Sequence, residues 1–370
     1  PSWAKPTALI DVDGLKVGII GLSTETTPFT TKPSNVRTLE FRSGAAAIDR
    51  WVPELRRQGA QFVIVVAHAG ATCREEVLDC RGEIMEWAGA VTHRPDLIVG
   101  GHAHQVVRTR ANGIPIVQTG SYATRYAVVE LERVSRDSVD VWIRGTPAAW
   151  PERVTPDTAV ATLVQRYVDE IGPEVDRVVA QLAQPLNRGA GEYPLGRMIA
   201  DAQRAATKAH VAIMNNGGIR TSIDAGPVAW RELYEVQPFG NLLVKLQLTG
   251  SQLREAIEHV VRGNAPGSHV SGIIVEYDPA APPRSRVRSM QLSTGEPVRD
   301  ETIYTVTVND FMAEGGDGFA VFTQAMSRED TGIVDLDVLV AHFQSLPPAF
   351  TPPNEQRLRA LSTPPGEERR

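Results

Sequence analysis

Leu97-Ile98-Val99-Gly100-Gly101-His102-Ala103-His104 is the stretch that decides how this 370-residue chain is read. A short apolar run gives way to two glycines and then two histidines, the pattern of a buried strand that delivers imidazoles to its C-terminal end. Val63-Ile64-Val65-Val66-Ala67-His68-Ala69-Gly70 has the same form one crossover earlier. Neutral imidazole is a common ligand of divalent metals, and neighbouring glycines let the backbone turn sharply, so His68, His102 and His104 are expected to meet around a metal. A lone histidine at a strand end is more often a satisfied structural residue; the two like strands tip the balance. His93, just before Pro95, reads as a solvated residue at a helix C-terminus.

Working outward, strand-like and helix-like segments alternate: Leu15 to Leu22, a helix over Gly44 to Gln58, Gln61 to Ala67, a helix over Glu75 to Thr92, then Asp96 to Val99. That alternation predicts an α/β fold with functional groups in loops at strand ends. Ile114 to Gln118 and Ala127 to Ile143 read as further strands without intervening helices, an antiparallel edge closing the first domain. Thr155 to Ala183, punctuated by Pro156 and Pro173 and preceded by Pro151, reads as a long helical connector. A second domain opens near Asn187, with helices at Pro194 to His210 and Ser251 to Arg262. Its strands are expected at Val211 to Met214, around Gly272 to Tyr277, and at Ile303 to Val308. The expected division is therefore 1–145, a connector at 146–183, a second α/β domain at 184–362, and a charged tail at 363–370 that frays.

Hydrophobic residues make up 42% and charged residues 22%, the profile of a soluble globular chain. A net charge of -6 offers no basic field for a nucleic-acid polymer, so any phosphate must be caught by local groups. No apolar run is long enough to span a bilayer, and Pro1-Ser2-Trp3-Ala4-Lys5-Pro6 lacks the regions of a signal peptide, so a segment of a longer precursor is expected. Cys73 and Cys80 are the only two cysteines. They read equally as a local disulfide of an exported protein, which needs an irregular loop, or as two thiols on one helical face.

Three clusters in the second half carry recognition chemistry. Asn215-Asn216-Gly217-Gly218-Ile219-Arg220 combines amides, a flexible turn and a guanidinium, whose planar fork suits phosphate oxygens. Gln237-Pro238-Phe239-Gly240-Asn241 sets an aromatic between turn formers. Asn309-Asp310-Phe311-Met312-Ala313-Glu314-Gly315-Gly316-Asp317-Gly318-Phe319 sets another beside a glycine-rich loop. Two loop aromatics can stack on a flat base, and a nearby Asp can accept from ribose hydroxyls. Phe319 reads instead as a core residue under its loop.

The run Gly100 to Gln105 resembles the last metal motif of the calcineurin-like metallophosphoesterases, and His68 matches their preceding histidine ligand. Within that family the chain is most similar to the 5′-nucleotidases and 2′,3′-cyclic-nucleotide phosphodiesterases, a likeness that continues through Gln118-Thr119-Gly120-Ser121-Tyr122. The resemblance implies part of a layered αββα metallophosphoesterase domain followed by a separate α/β substrate-binding domain. It implies two divalent ions, zinc, manganese or similar, that activate a bridging water. It implies a nucleotide or nucleoside as substrate, bound by Asn215, Arg220, Phe239, Asn241, Phe311 and Asp317. Arg188, followed by Glu192, is similar to the family's Arg-x(3)-Glu entry to the helix holding Leu195 to Asp201, although the second arginine often found before it is absent. By the same likeness the expected location is periplasmic, cell-wall or extracellular. The family's earlier ligands, an Asp-x-His strand, a bridging Asp and a Gly-Asn-His motif, have no counterpart in residues 1–145, so no catalytic residue is assigned and the metal site reads as one half.

Overall fold

The computed structural model describes residues 4–135, 138–145, 155–347 and 350–361. The chain divides into two compact units, one of residues 1–28 and 37–157 and one of residues 29–36 and 158–370.

The first unit opens with a hairpin of β1 (Thr7–Val12) and β2 (Leu15–Ser23); α1 (Thr27–Thr30) and α2 (Pro33–Val36) come next in the chain, and residues 29–36 belong to the second unit. Then come α3 (Gly44–Arg57), β3 (Phe62–His68), the short hairpin of β4 (Thr72–Arg74) and β5 (Leu78–Arg81), α4 (Glu83–Ala90) and β6 (Leu97–Val99). The antiparallel pairs β7 (Val106–Ala111) with β8 (Ile114–Thr119) and β9 (Val128–Ser135) with β10 (Ser138–Gly145) complete it. The main sheet runs β1-β2-β3-β6-β8-β7, parallel through its centre and antiparallel at both edges. β8, expected in an antiparallel edge, pairs parallel with β6 and antiparallel with the edge strand β7, while β9 and β10, expected in the same edge, form a separate two-stranded sheet. Alternation along β3 sends Val63, Val65 and Ala67 into a core with Ile48, Val52 and Leu55 of α3 and Ile84 and Trp87 of α4. Each such buried aliphatic contributes about 1.5–3 kcal/mol. Ile64, Val66 and His68 face the opposite way, towards the more open side of the sheet.

Two expectations fail here. Glu75 to Thr92 is not one helix: Cys73 and Cys80 are joined in a disulfide that clasps the β4–β5 hairpin, and helix forms only from Glu83. His93 therefore lies beyond the helix, its backbone N–H donating to Asp49 at 2.6 Å and its ring facing the same carboxylate.

The second unit begins with α5 (Thr158–Val175) and β11 (Val178–Leu182), so the expected connector helix stops short. Pro173 sits in its last turn, and residues 178–182 pair with β13 instead of continuing the helix. α6 (Pro194–Thr207), β12 (Val211–Asn215), β13 (Gly226–Ala229), α7 (Trp230–Val236), β14 (Leu242–Thr249), α8 (Gly250–Val260), β15 (Ser268–Ser271), β16 (Ile273–Tyr277) and β17 (Val287–Leu292) follow. β18 (Ile303–Asn309), α9 (Asp310–Ala313), β19 (Ser327–Val334), α10 (Asp335–Gln344) and β20 (Leu358–Ala360) end the described part. The central sheet, ordered β15-β12-β18-β14-β19, has α6 and α10 against one face, while α8 and the β17-β16-β20 sheet share the core on the other. β12 and β18 run parallel and end at Asn215 and Asn309, which brings both side chains out at one sheet edge. The chain is α/β throughout, as its sequence alternation predicts. The tail expected to fray at 363–370, and Pro151 of the connector, lie outside the described residues.

Candidate metal and nucleotide sites

In the first unit, β3 and β6 are paired in parallel with Val66 opposite Val99, so the loops after them leave the sheet side by side. Gly101 donates its N–H to the Ala69 carbonyl at 2.9 Å. A Cβ on Gly70 would come within 2.5 Å of the Gly101 carbonyl oxygen and 2.6 Å of the Ala103 Cβ, so only glycine permits this approach. Gln118 of β8, fully buried, ties the assembly together. It accepts from the Ala71 N–H at 3.2 Å and donates to the Gln105 carbonyl at 2.6 Å. Its role was missed in the sequence, where it stood inside a recognised run without a function. The β4–β5 hairpin and the N-terminus of α4 brace the first loop, with Ile84 donating to the Gly70 carbonyl at 3.4 Å.

His68 and His102 are brought together by this packing, with His68 Nε2 and His102 Nδ1 3.2 Å apart and ring centroids 5.0 Å apart. His102 and His104 both have left-handed backbones, φ 61° and 55°, and the His104 ring stands edge-on to Tyr122 at 5.5 Å. Among the described residues no group of three or more His, Cys, Asp and Glu side chains is arranged to hold an ion. Two nitrogens on one tetrahedral zinc at about 2.0–2.1 Å would stand about 3.3 Å apart. The His68 to His102 separation fits that edge, so this pair has the donor chemistry and spacing for a divalent cation. Asp96, at the opposite end of β6, is structural: it accepts from Arg56 and from the Val63 N–H, each at 2.6 Å.

The second unit gathers most of its expected residues at one sheet edge. Asn215 donates to Asp317 Oδ2 at 2.6 Å and accepts from Asn309 at 3.0 Å. Burial raises the Asp317 carboxyl above its ordinary value, and the Asn215 hydrogen bond opposes that rise. Phe311 packs over Gly316, where any Cβ would meet its ring at 2.4 Å, and joins the edge of the core. Arg220 donates to the Gly217 carbonyl at 3.1 Å and lies 5.8 Å from the Phe239 ring centroid, a cation–π contact that leaves the ring 56% exposed. Arg188 donates from Nε to the Ile219 carbonyl at 2.7 Å, which sets it on the Arg220 loop. Phe319 is buried and stacks on Phe322 at 5.0 Å, a core residue as expected.

Two supporting groups were invisible in the sequence. Asn241 reaches Asp335 at 3.3 Å, and Gln237 reaches the same oxygen at 3.5 Å, so the first residue of α10 holds both ends of the Phe239 loop. Burial pushes Asp335 up to about 6, against the pull of hydrogen bonds from Asn241 and the Leu336 N–H. His269 approaches Asn216 Oδ1 at 2.6 Å. Because Asn216 Nδ2 donates to Gly191 and Pro266 carbonyls, Oδ1 accepts and the His269 proton sits on Nε2. Burial and the nearby Arg197, Arg357 and Arg188 push His269 down to about 3, which keeps it neutral.

Residues 178–324 match the family described as 5′-nucleotidase, C-terminal domain. Endonuclease YhcR of Bacillus subtilis (strain 168) is 30% identical over 363 residues, covering 96% of this chain and 29% of that protein. The 5′-nucleotidase of Homo sapiens is 24% identical over 390 residues, 92% of this chain and 66% of that one. The structure of a 5′-nucleotidase precursor from Thermus thermophilus superposes with a TM-score of 0.84 at 27% identity, over 97% of this chain and 75% of that one. The chain spans 29% and 25% of the length of two Bacillus subtilis relatives, YhcR and YfkN. Residues 178–324 thus match the C-terminal domain of 5′-nucleotidases, and the chain as a whole is similar in sequence and fold to proteins of that name.

Proposed function

We propose that the complete protein hydrolyses nucleotide phosphoesters, releasing nucleoside and phosphate from a nucleoside 5′-monophosphate with the help of divalent metal. The observation that carries this reading is the interlocked edge of the second unit. Asn215, Asn309 and Asp317 are bonded in series, beside Arg220 poised over the exposed Phe239 ring. An exposed aromatic face accepts a base, a carboxylate accepts hydroxyl protons, and a guanidinium donates to phosphate oxygens. Asn241 and Phe311 shape the loops that carry these groups, and Arg188 braces the Arg220 turn from behind. The first unit would hold metal through His68 and His102, with His104 the third ligand of the proposed set. A bound divalent pair lowers the pKa of water and neutralises charge on the transferred phosphoryl group.

The same stacking edge suits a 2′,3′-cyclic nucleotide or a UDP-sugar, because it addresses the nucleoside more than the ester. A second reading, binding without turnover by these 370 residues, is favoured by the convergence of only two imidazoles among the described residues. One experiment separates them: product formation in added Mn²⁺ or Zn²⁺, read as phosphate from AMP, a nucleoside monophosphate from 2′,3′-cyclic AMP, and UMP with a sugar phosphate from a UDP-sugar, alongside equilibrium binding of adenosine. Turnover of AMP supports hydrolysis by the chain; tight binding without turnover supports the second reading; neither sinks both. A location outside the cytoplasm is proposed too, since the Cys73–Cys80 disulfide persists in oxidising compartments and one relative is a cell wall protein of Listeria monocytogenes. Among the described residues no helix is long and apolar enough to cross a membrane.

A further inference from the structure

Asp317 sits in a left-handed backbone conformation, φ 53° and ψ 16°, which Asp tolerates better than most residues with a Cβ but which still favours glycine. Contacts from outside the turn reinforce it. His259, near the end of α8, lies beneath it, with Nε2 2.9 Å from the Asp317 carbonyl oxygen. On the other side of the ring, Arg262 Nη1 stands 3.1 Å from Nδ1. A guanidinium has no lone pair, so Arg262 donates and Nδ1 accepts; the ring proton is then on Nε2 and is donated to Asp317. Both ring nitrogens are satisfied only in this neutral tautomer. The ring is further fixed by Phe319, 4.4 Å between centroids, and by Gly318, where a Cβ would come within 3.0 Å of the His259 Cε1.

The arrangement completes a chain of contacts from α8 to the recognition edge. Arg262 sets the tautomer of His259, His259 clamps the Asp317 carbonyl, and the clamped turn aims the Asp317 carboxylate at Asn215. Asn215 engages Oδ2, which leaves Oδ1 to accept from a ligand hydroxyl. We propose that His259 is a positioning residue for recognition of the ribose hydroxyls, acting through the backbone of Asp317. The inference rests on the reading of this edge as a nucleoside site.

The test compares adenosine with 2′,3′-dideoxyadenosine, by calorimetric titration of the whole chain carrying His259→Leu, His259→Gln, Arg262→Met or Asp317→Ala. His259→Leu removes the donor and is expected to weaken adenosine about tenfold while leaving dideoxyadenosine unchanged. His259→Gln restores an N–H donor and should recover most of that loss. Arg262→Met frees the tautomer and also removes a positive charge that acts on the Asp317 carboxyl beside Gly318; it should give a smaller loss confined to adenosine. Equal weakening of both ligands by His259→Leu, or no rescue by Gln, overturns the proposal by making the role merely structural. Should His259→Leu fail to fold, the Gln and Met variants decide: adenosine affinity unchanged in Arg262→Met overturns it. If Asp317→Ala weakens adenosine and the His259 variants do not, His259 has no positioning role and the proposal is overturned while the nucleoside reading stands. If the unaltered chain binds neither ligand, the nucleoside reading itself fails.

Discussion

The histidine loops of the first unit and the amide–carboxylate edge of the second solve one problem in opposite ways. Both sit at C-terminal ends of parallel strands, where an α/β sheet presents its loops. In the second unit the groups are hydrogen-bonded to one another: Asn309 to Asn215, Asn215 to Asp317, Asp335 to Asn241 and Gln237. On the proposed reading, recognition is pre-organised there by side chains that satisfy each other before a ligand arrives. In the first unit backbone does the organising, through the Gly70 approach and the Gln118 tie, and the two imidazoles it delivers share a short contact. A cation would replace that contact by two coordinate bonds. The proposed nucleoside site is thus built from mutual side-chain bonds, and the proposed metal site from loops that hold donors close.

The largest expected effect would break this contrast if the second unit's network were loose. Asp335 has a folded-state pKa of about 6 against 3.8 for the free group, so its stabilising contribution is complete below about pH 4 and is lost as pH rises through 6. At pH 7 the ionised, buried group costs about 3 kcal/mol, to order of magnitude. His269, pushed down to about 3, contributes the opposite slope over the same range, so the difference is what tests it: in chemical denaturation from pH 4 to 7 the unaltered chain should lose about 3 kcal/mol relative to Asp335→Asn, and no such relative loss would mean that solvent reaches the carboxylate. Next in size, Asp317→Ala removes the partner of Asn215 and the acceptor for ribose. Adenosine affinity is expected to drop by up to about 100-fold, within the range for hydrogen bonds to a charged group.

Breaking the covalent clasp of the first unit comes third. Replacing Cys73 and Cys80 by Ser frees a short loop whose closure is worth about 2.5 kcal/mol on the chain-entropy model. Because the hairpin braces Gly70, the loss should appear both in the melting of the first unit and in weaker zinc binding at His68 and His102. Smallest is Gln118→Leu, which leaves the histidines in place but unties their loops. Zinc affinity, read by titration, should drop about tenfold, as for other residues that orient metal ligands. Unchanged affinity would show that the glycine packing suffices.

Much of the fold was legible in residue pattern. Val63 to Ala67 and Leu97 to Val99 are apolar runs too short for helices and closely followed by glycine, and they form the expected parallel strands. Pro194 to Thr207, with Pro at its first position, begins where the sequence places it. The helix expected at Glu75 to Thr92 was illegible because a disulfide, not local propensity, shapes residues 73–80. β11 was illegible because its partner, β13, lies far along the chain, and Val178 to Leu182 suits either state. Of the candidate site, motif residues were readable, while Gln118, Asp335 and His259 were not, since each acts through a loop distant in sequence.

By itself the sequence determined the alternation of elements, the placing of histidines and loop amides at strand ends, and the likeness to 5′-nucleotidases that they carry. These follow from periodicity and from motifs, which each segment carries within itself. Only tertiary structure decided which of those groups meet. It brought His68 to His102 while standing His104 against Tyr122, bonded Asn215 to Asp317, joined Cys73 to Cys80, and set His259 beneath a turn 58 residues away. Such encounters depend on strand order and register, and on neutral tautomers selected by hydrogen-bond partners. No local pattern encodes them.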